Sequence, residues 1–174
     1  MDLHRLWETT NVGIGGYAND RTYEGVKAFI EKFNSLAAIY AKEGFKLTYH
    51  NHAWEFKRLE GHGTLTMWDM LVEGLDPENT SFVLDTCWVA HGGADIRFWL
   101  EKLAGRIDIL HLKDIEAFHD ASGNITQSFT EIGNGNINFE DIIPLAEKIG
   151  VKDFVVEQDG NFATGNSLDS IVTS

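Results

Sequence analysis

The fold class is decided by residues 105–114, GRIDILHLKD. A glycine of the kind that ends helices precedes a run dominated by Ile and Leu, and this run predicts a buried strand at residues 106–113. The run ends in polar residues, His111, Lys113 and Asp114. Because the carboxyl ends of parallel strands face the functional site of an α/β protein, this segment predicts a site at the edge of a parallel sheet.

The same alternation of strand and helix extends to both sides of this segment. Residues 22–43 carry apolar side chains at Val26, Phe29, Ile30 and Phe33, which is the spacing of one buried helix face. Residues 117–138 are rich in Gly, Asn, Ser and Thr and are predicted to form a long loop. Further helices are predicted at residues 64–74, 95–104 and 139–149 and near Leu168, and further strands at residues 6–15, 45–52, 81–86 and 153–157. This alternation indicates βαβ units and a parallel sheet.

Composition limits the classes of partner. The chain has 174 residues, 43% of them apolar, so one domain with a hydrophobic core is expected. No run approaches the roughly 20 apolar residues of a membrane helix, so no membrane partner is expected. The formal net charge of −13 disfavours nucleic acid, which is bound through Lys and Arg. The single cysteine, Cys87, excludes an internal disulfide and fits a cytoplasmic location.

Three strand ends carry potential metal ligands, which are Asp85, His111 and Glu157. Two carboxylates and one imidazole suit a divalent cation that accepts mixed oxygen and nitrogen ligands, such as Mn²⁺, Co²⁺ or Zn²⁺. Two of these residues also have a purely structural interpretation. Asp85 can be a residue like a helix N-cap, and His111 can be a core histidine with satisfied hydrogen bonds.

The segment YHNHAWEF, residues 49–56, is the densest polar cluster. His50 and His52 lie on the same face of the predicted strand because side chains repeat with a period of two, so either can supply a fourth ligand. Glu55, just beyond, is a candidate base or supporting residue. The alternative is a polar exit from the strand with no catalytic role.

Other residues near the strand ends suggest substrate contacts. Lys113 offers a positive charge for a phosphate, carboxylate or enolate oxygen, although it can also be a solvated strand-end lysine. Trp54 and Trp88 offer faces on which a sugar ring can stack, although core packing is the commoner use of such residues. His91 precedes Gly92 and Gly93, and this tight loop can bring backbone close to a ligand.

Five motifs taken together resemble the sugar phosphate isomerase/epimerase family, the xylose-isomerase-like TIM barrels that include inosose dehydratase and ketose 3-epimerases. The motifs are YHNHAWEF (49–56), LDTCWVAHGGAD (84–95), GRIDILHLKD (105–114), EIGNGNINFEDII (131–143) and FVVEQD (154–159). The resemblance implies one metal ion at the carboxyl ends of the strands, with Asp85, His111 and Glu157 as three of its four ligands. The fourth is usually a Glu in the family, and here the matching position is His50.

The resemblance also implies the architecture. The chain is expected to be a single α/β domain at residues 1–174, a partial (β/α)₈ TIM barrel with strands four to eight present and the first three βα units missing. Such a sheet exposes an edge at each end, and exposed edges invite pairing with another chain, so a homo-oligomer is expected.

The implied activity is that of a metal-dependent sugar or sugar-phosphate isomerase or epimerase. Glu157 is the expected base for proton abstraction next to a carbonyl, and Lys113 and His52 are expected to orient substrate oxygens. Trp54, Trp88 and His91 are the expected substrate contacts. The alternatives are a dehydratase of polyols or keto-sugars, like inosose dehydratase, and a barrel fragment without catalysis. An endonuclease of the same superfamily is disfavoured by the charge of −13.

Overall fold

The computed structural model describes all residues 1–174, and the chain divides into two compact units, Met1–Val83 and Leu84–Ser174. The elements of the first unit are α1 (Asp2–Leu6), β1 (Asn11–Ile14), α2 (Tyr23–Ala41), β2 (Lys46–His50), a 3₁₀ helix (Trp54–Phe56), α3 (Met67–Gly74) and β3 (Thr80–Asp85), whose last two residues belong to the second unit. β1 pairs with β2 and β2 with β3, both in parallel, and His50 lies opposite Val83.

The second unit continues the alternation and adds a hairpin. Its elements are α4 (Thr86–His91), α5 (Ile96–Lys102), β4 (Ile107–Leu112), β5 (Asp114–His119), β6 (Ile125–Thr130), α6 (Phe139–Lys148), β7 (Asp153–Val156) and α7 (Ser167–Thr173). β4 and β7 are parallel, with His111 opposite Val155, whereas β5 and β6 are antiparallel.

The five parallel strands are hydrogen-bonded in the order β1-β2-β3-β4-β7. All six residues of β3 are buried, as expected for a strand covered on both faces. The predicted class is therefore confirmed: the protein is an α/β fold whose five parallel strands correspond to part of a TIM barrel.

Helix boundaries follow local capping. α2 begins after Thr22, whose hydroxyl accepts the N–H of Gly25 at 3.2 Å. α3 begins three residues later than Thr64, the predicted start. The reason is a capping box, in which Thr66 and Asp69 each accept a backbone N–H of the other.

The predicted long loop at residues 117–138 is wrong over residues 117–130, which belong to the β5–β6 hairpin. Asp120 closes the turn, because one of its carboxylate oxygens accepts the N–H groups of Ser122 and Asn124, each at 2.9 Å. Composition alone suggested a loop, since seven of the twelve residues in the two strands are polar. The pairing along β5 and β6 satisfies their backbone groups instead.

The predicted strand at residues 6–15 is shorter than expected, because α1 occupies its start and only Asn11–Ile14 is a strand. Glu8, with φ of 56°, has the left-handed backbone that separates the two elements. α4 was not predicted from the sequence.

None of the helices combines the length and the apolar character that crossing a bilayer requires.

Candidate metal centre

Three predicted ligands converge in the second unit. The Nδ1 atom of His111 lies 2.5 Å from Oε2 of Glu157 and 3.8 Å from Oδ2 of Asp85. The ligand atoms of these three residues all lie within 4.8 Å of one another. The alternation of strand and helix explains the convergence, because Asp85 ends β3, His111 lies one residue before the end of β4, and Glu157 directly follows β7.

Asp85 serves the structure and the site at the same time. Its Oδ1 atom accepts the backbone N–H of Trp88 at 3.0 Å and so caps α4. Its other oxygen, Oδ2, faces His111. The two interpretations of Asp85 from the sequence are therefore compatible, since each uses a different oxygen. The residue has no exposed surface, so its orientation is fixed by packing as well as by the cap.

The charge state of His111 reflects its two carboxylate neighbours. Burial alone would lower the pKa of this imidazole, and burial is the largest single effect. Hydrogen bonds and charge interactions with Asp85 and Glu157 together outweigh burial and raise the pKa of His111 to about 9. The negative charge of Asp85 and Glu157 that stabilises the proton on His111 would also stabilise a metal cation, so this cluster is suited to bind one.

Lys113 lies at the same edge and is almost wholly buried, with 1% of its side chain exposed. Its ammonium nitrogen lies 3.7 Å from Oε1 of Glu157 and 3.9 Å from Oδ2 of Asp85. The interpretation of Lys113 as a solvated strand-end lysine is therefore wrong. A buried ammonium requires compensating partners, and carboxylates provide them here.

Asp159 is a site residue that was not predicted from the sequence. Its carboxylate accepts a hydrogen bond from the Lys113 ammonium and forms an ion pair with it. The two residues are 46 positions apart. Asp159 stands in the FVVEQD motif two residues beyond Glu157, and that spacing was the only signal in the sequence that could have suggested it.

Aromatic rings form the other side of the Lys113 environment. The ammonium lies 4.7 Å from the centre of the Trp88 ring and 4.9 Å from that of Phe129, within the range of cation–π attraction. Phe129 comes from the β5–β6 hairpin, which was not predicted. His91 is exposed, and its Nδ1 atom lies 2.9 Å from the side-chain oxygen of Gln127 on the same hairpin. Trp88 and His91 are thus close to Lys113 and to the hairpin, respectively.

Thr86 and Asp114 hold the backbone on either side of these ligands. The Thr86 hydroxyl accepts the N–H of Lys113 at 3.1 Å and lies 2.8 Å from the Lys113 carbonyl and 3.1 Å from that of His111. Asp114 accepts four backbone N–H groups, those of Ile115, Gly133, Gly135 and Ile137. The EIGNGN motif is therefore a loop wrapped around one buried carboxylate.

The remaining predicted residues lie in the first unit. His50 is the last residue of β2 and is buried, and its ring meets that of His52 edge-on, with 4.8 Å between the ring centres. His52 stacks on Trp54 at 4.0 Å. The role of His50 as a fourth ligand, of His52 in orienting substrate and of Trp54 in binding it remain predictions.

Glu55 has a structural position within the same segment. The residue is fully buried, accepts the hydroxyl of Tyr49 at 2.7 Å and accepts the backbone N–H of His52 at 2.9 Å. Burial raises the pKa of the Glu55 carboxyl. Glu55 therefore fixes the path of the chain that carries His52.

Comparison with known proteins identifies the family. The family model described as "Xylose isomerase-like TIM barrel" matches residues 4–167. The chain belongs to this family. An inosose dehydratase from Geobacillus thermodenitrificans is 28% identical over 159 residues, which cover 85% of this chain and 52% of that protein.

Solved structures of similar fold agree with the family assignment. A sugar phosphate isomerase/epimerase from Parabacteroides distasonis ATCC 8503 is 25% identical with a TM-score of 0.78, covering 95% of this chain and 55% of that one. The IOLI protein with a bound zinc atom is 18% identical with a TM-score of 0.71, covering 99% of this chain and 62% of that one. The chain thus spans about half the length of the relatives that it matches.

Proposed function

We propose that this chain carries the metal-binding and proton-transferring residues of a sugar or sugar-phosphate isomerase or epimerase. The observation that supports this most strongly is the convergence of Asp85, His111 and Glu157 beside the buried Lys113. These are groups that bind a divalent cation and move a proton, and they stand at the strand ends where barrel enzymes carry their sites.

The donor set fits Mn²⁺, Co²⁺ or Zn²⁺, because one imidazole nitrogen and two carboxylate oxygens are ligands that each of these ions accepts. His50 is the proposed fourth ligand, at the position where the family usually has a Glu. A divalent cation bound there would supply positive charge to the substrate oxygen on which negative charge develops.

Glu157 is the proposed base. Its side chain is 33% exposed, whereas that of Asp85 is fully buried, so only Glu157 of the two carboxylates can reach a substrate carbon. Its oxygens also have different neighbours, since Oε2 faces His111 and Oε1 faces Lys113. Glu157 takes the proton from the hydroxyl-bearing carbon next to the carbonyl, which gives an enediolate. The hydroxyl proton passes to the former carbonyl oxygen, and Glu157 returns its proton to the former carbonyl carbon, which isomerises the sugar.

Positioning residues complete the proposal. Lys113 stabilises the oxygen that becomes negative, and His52 orients a neighbouring hydroxyl. Trp54, Trp88 and His91 form contacts with the sugar.

We place the protein in the cytoplasm, which is supported by the unpaired Cys87. The sheet ends at β1 and β7, and association of two copies through these edges is also proposed; light scattering that shows a monomer at all concentrations would contradict it.

The test is hydrogen exchange at the substrate carbon. Ketoses, keto derivatives of polyols and the phosphates of both are incubated with Mn²⁺-loaded protein in D₂O, and NMR follows replacement of the hydrogen next to the carbonyl. Glu157→Gln should reduce the exchange rate by about 10²–10⁴-fold. The matched control is Glu147→Gln on the exposed face of α6. Full exchange in the Glu157 variant would remove this residue from the mechanism.

A dehydratase is the second candidate, and the likeness to inosose dehydratase supports it. Glu157 would again remove a proton next to the carbonyl, and the hydroxyl on the following carbon would leave as water. The same incubations distinguish the two reactions, because mass spectrometry detects a product lighter by one water. Protein that binds Mn²⁺ but exchanges no substrate hydrogen would support the non-catalytic alternative.

A further inference from the structure

The first unit contains a cavity that none of the proposed metal ligands lines, although Trp54, a proposed sugar contact, does. The cavity has a volume of about 530 Å³, within the range of small-molecule sites. Three cationic side chains line it, those of Arg21, Lys57 and Arg58. Two carboxylates, Glu24 and Glu60, also line it, so the lining is net positive in a protein whose formal charge is −13.

The three cations are available to a ligand. None of them takes part in an ion pair, whereas Arg5 and Arg97 elsewhere on the surface pair with carboxylates. The guanidinium carbon of Arg21 lies 4.6 Å from the centre of the Trp54 ring, within cation–π range. A cation–π contact does not require the N–H donors of the guanidinium, so these donors can bind an anion.

The backbone that carries Lys57 and Arg58 is held in place. Arg58 forms an isolated antiparallel bridge with Thr66, and the N–H of the next residue, Leu59, donates to the Leu65 carbonyl at 2.8 Å. The Leu59 side chain is buried. The two cations therefore extend from a fixed loop, which reduces the ordering cost of binding.

A chain of ring contacts connects the cavity with the proposed fourth metal ligand. Arg21 covers Trp54, Trp54 lies against His52 at 4.0 Å, and the His52 ring meets His50 at 4.8 Å. All four residues belong to the first unit. A ligand whose charged end occupies the cavity would thus extend along Trp54 toward His50.

We infer that this cavity binds the phosphate group of a phosphorylated sugar or polyol, with Arg21, Lys57 and Arg58 as the anion ligands. Arginine and lysine together suit a phosphate, since the guanidinium gives two parallel hydrogen bonds and the ammonium a compact charge. Glu24 and Glu60 accept hydrogen bonds from sugar hydroxyls, and Trp54 offers a face for the carbon chain. The inference depends on the proposed function only for the role of the bound molecule as substrate.

The experiment follows the Nε–H signals of the five arginines by NMR in metal-free protein, during titration with inorganic phosphate and then with D-fructose 6-phosphate. The signals of Arg21 and Arg58 should move and saturate, while those of Arg5 and Arg97 stay in place. Arg21→Gln should weaken binding, as measured at Arg58, by about tenfold or more. Lys27→Gln, an exposed lysine on α2 outside the cavity, is the matched control and should change nothing.

Two results would overturn the inference. One is a uniform shift of all five signals that sodium chloride reproduces, and the other is no shift at all. Equal affinity for inorganic phosphate and the sugar phosphate would overturn the assignment to substrate. Because the metal is absent throughout, phosphate binding is independent of the metal centre. A protein that binds the sugar phosphate but no Mn²⁺ would refute the proposed function alone.

Discussion

The carboxylate of Asp159 is the nearest anionic partner of the Lys113 ammonium, nearer than either Glu157 or Asp85. Asp159 is about half exposed, and Lys113 is buried. Asp159 therefore holds the buried Lys113 ammonium in one orientation from the solvent-exposed side of the pair. Lys113 is held by Asp159 in a position where its charge acts on Glu157 and, in the proposed mechanism, on the substrate oxygen.

Asp159→Asn should lower turnover more than metal binding. The amide keeps the shape of the side chain but removes the charge that orients Lys113, so we expect kcat to fall about 10- to 100-fold, a rise of about 1.4–2.7 kcal/mol in the activation barrier. Mn²⁺ affinity, measured by calorimetry, should change by less than about threefold, because Asp159 is not a proposed ligand. Asp153→Asn, on the exposed side of β7, is the control. An equal loss in metal affinity would contradict the positioning role.

The stability of metal-free protein should depend on pH through His111. Its pKa is about 9 in the folded protein, against about 6.5 for the free side chain. The folded state therefore binds this proton more tightly than the unfolded state. The stabilisation is fully present below about pH 6.5 and is lost as the pH rises through about 9. Urea unfolding should show a decrease on the order of 3 kcal/mol across this range.

His111→Gln supplies the control for this pH dependence. The variant lacks the titrating group, so its unfolding free energy should vary much less between pH 6.5 and 9. Addition of Mn²⁺ tests whether His111 is also a metal ligand, because the ion and the proton compete for the imidazole. We expect apparent Mn²⁺ affinity to rise with pH over that range, and an affinity independent of pH would exclude His111 as a ligand.

Thr86 should stabilise the end of β4 through its hydroxyl. Thr86→Val keeps the shape but leaves the buried N–H of Lys113 without this partner, which costs about 1–3 kcal/mol of unfolding free energy. Thr86→Ser keeps the hydroxyl and should cost only about 1 kcal/mol. Chemical denaturation of both variants measures the difference. If the valine variant were as stable as the serine variant, the hydroxyl would have no role in holding this strand end.

The sequence predicted the parallel strands and the three converging ligands because both depend on local patterns. Apolar runs ended by Asp85, His111 and Glu157 are visible without knowledge of distant contacts. The β5–β6 hairpin was not predictable in this way, since its polar strands carry no strong alternation. The ion pair of Lys113 with Asp159 was missed for a different reason. It joins residues 46 positions apart, and only the paired strands β4 and β7 bring them together.

Asp114 should be the residue on which the EIGNGN loop depends most. Its two oxygens accept four backbone N–H groups, and asparagine offers only one acceptor oxygen. Asp114→Asn should therefore lower the unfolding free energy by about 3 kcal/mol. Gly135→Ala should destabilise the same loop, since a Cβ there would lie 2.3 Å from Oδ1 of Asp114 and 2.6 Å from the carbonyl of Ile115.

The two substitutions should not be additive. Both loosen the contact between one carboxylate and one loop, so the double variant should lose less stability than the two losses combined. Gly160→Ala is the matched control, because no atom lies within 4 Å of the added Cβ, and its stability should stay within about 0.5 kcal/mol of the parent. Urea denaturation of the parent, the two single variants and the double variant measures the additivity. Strictly additive losses would mean that Asp114 and Gly135 act on separate parts of the fold.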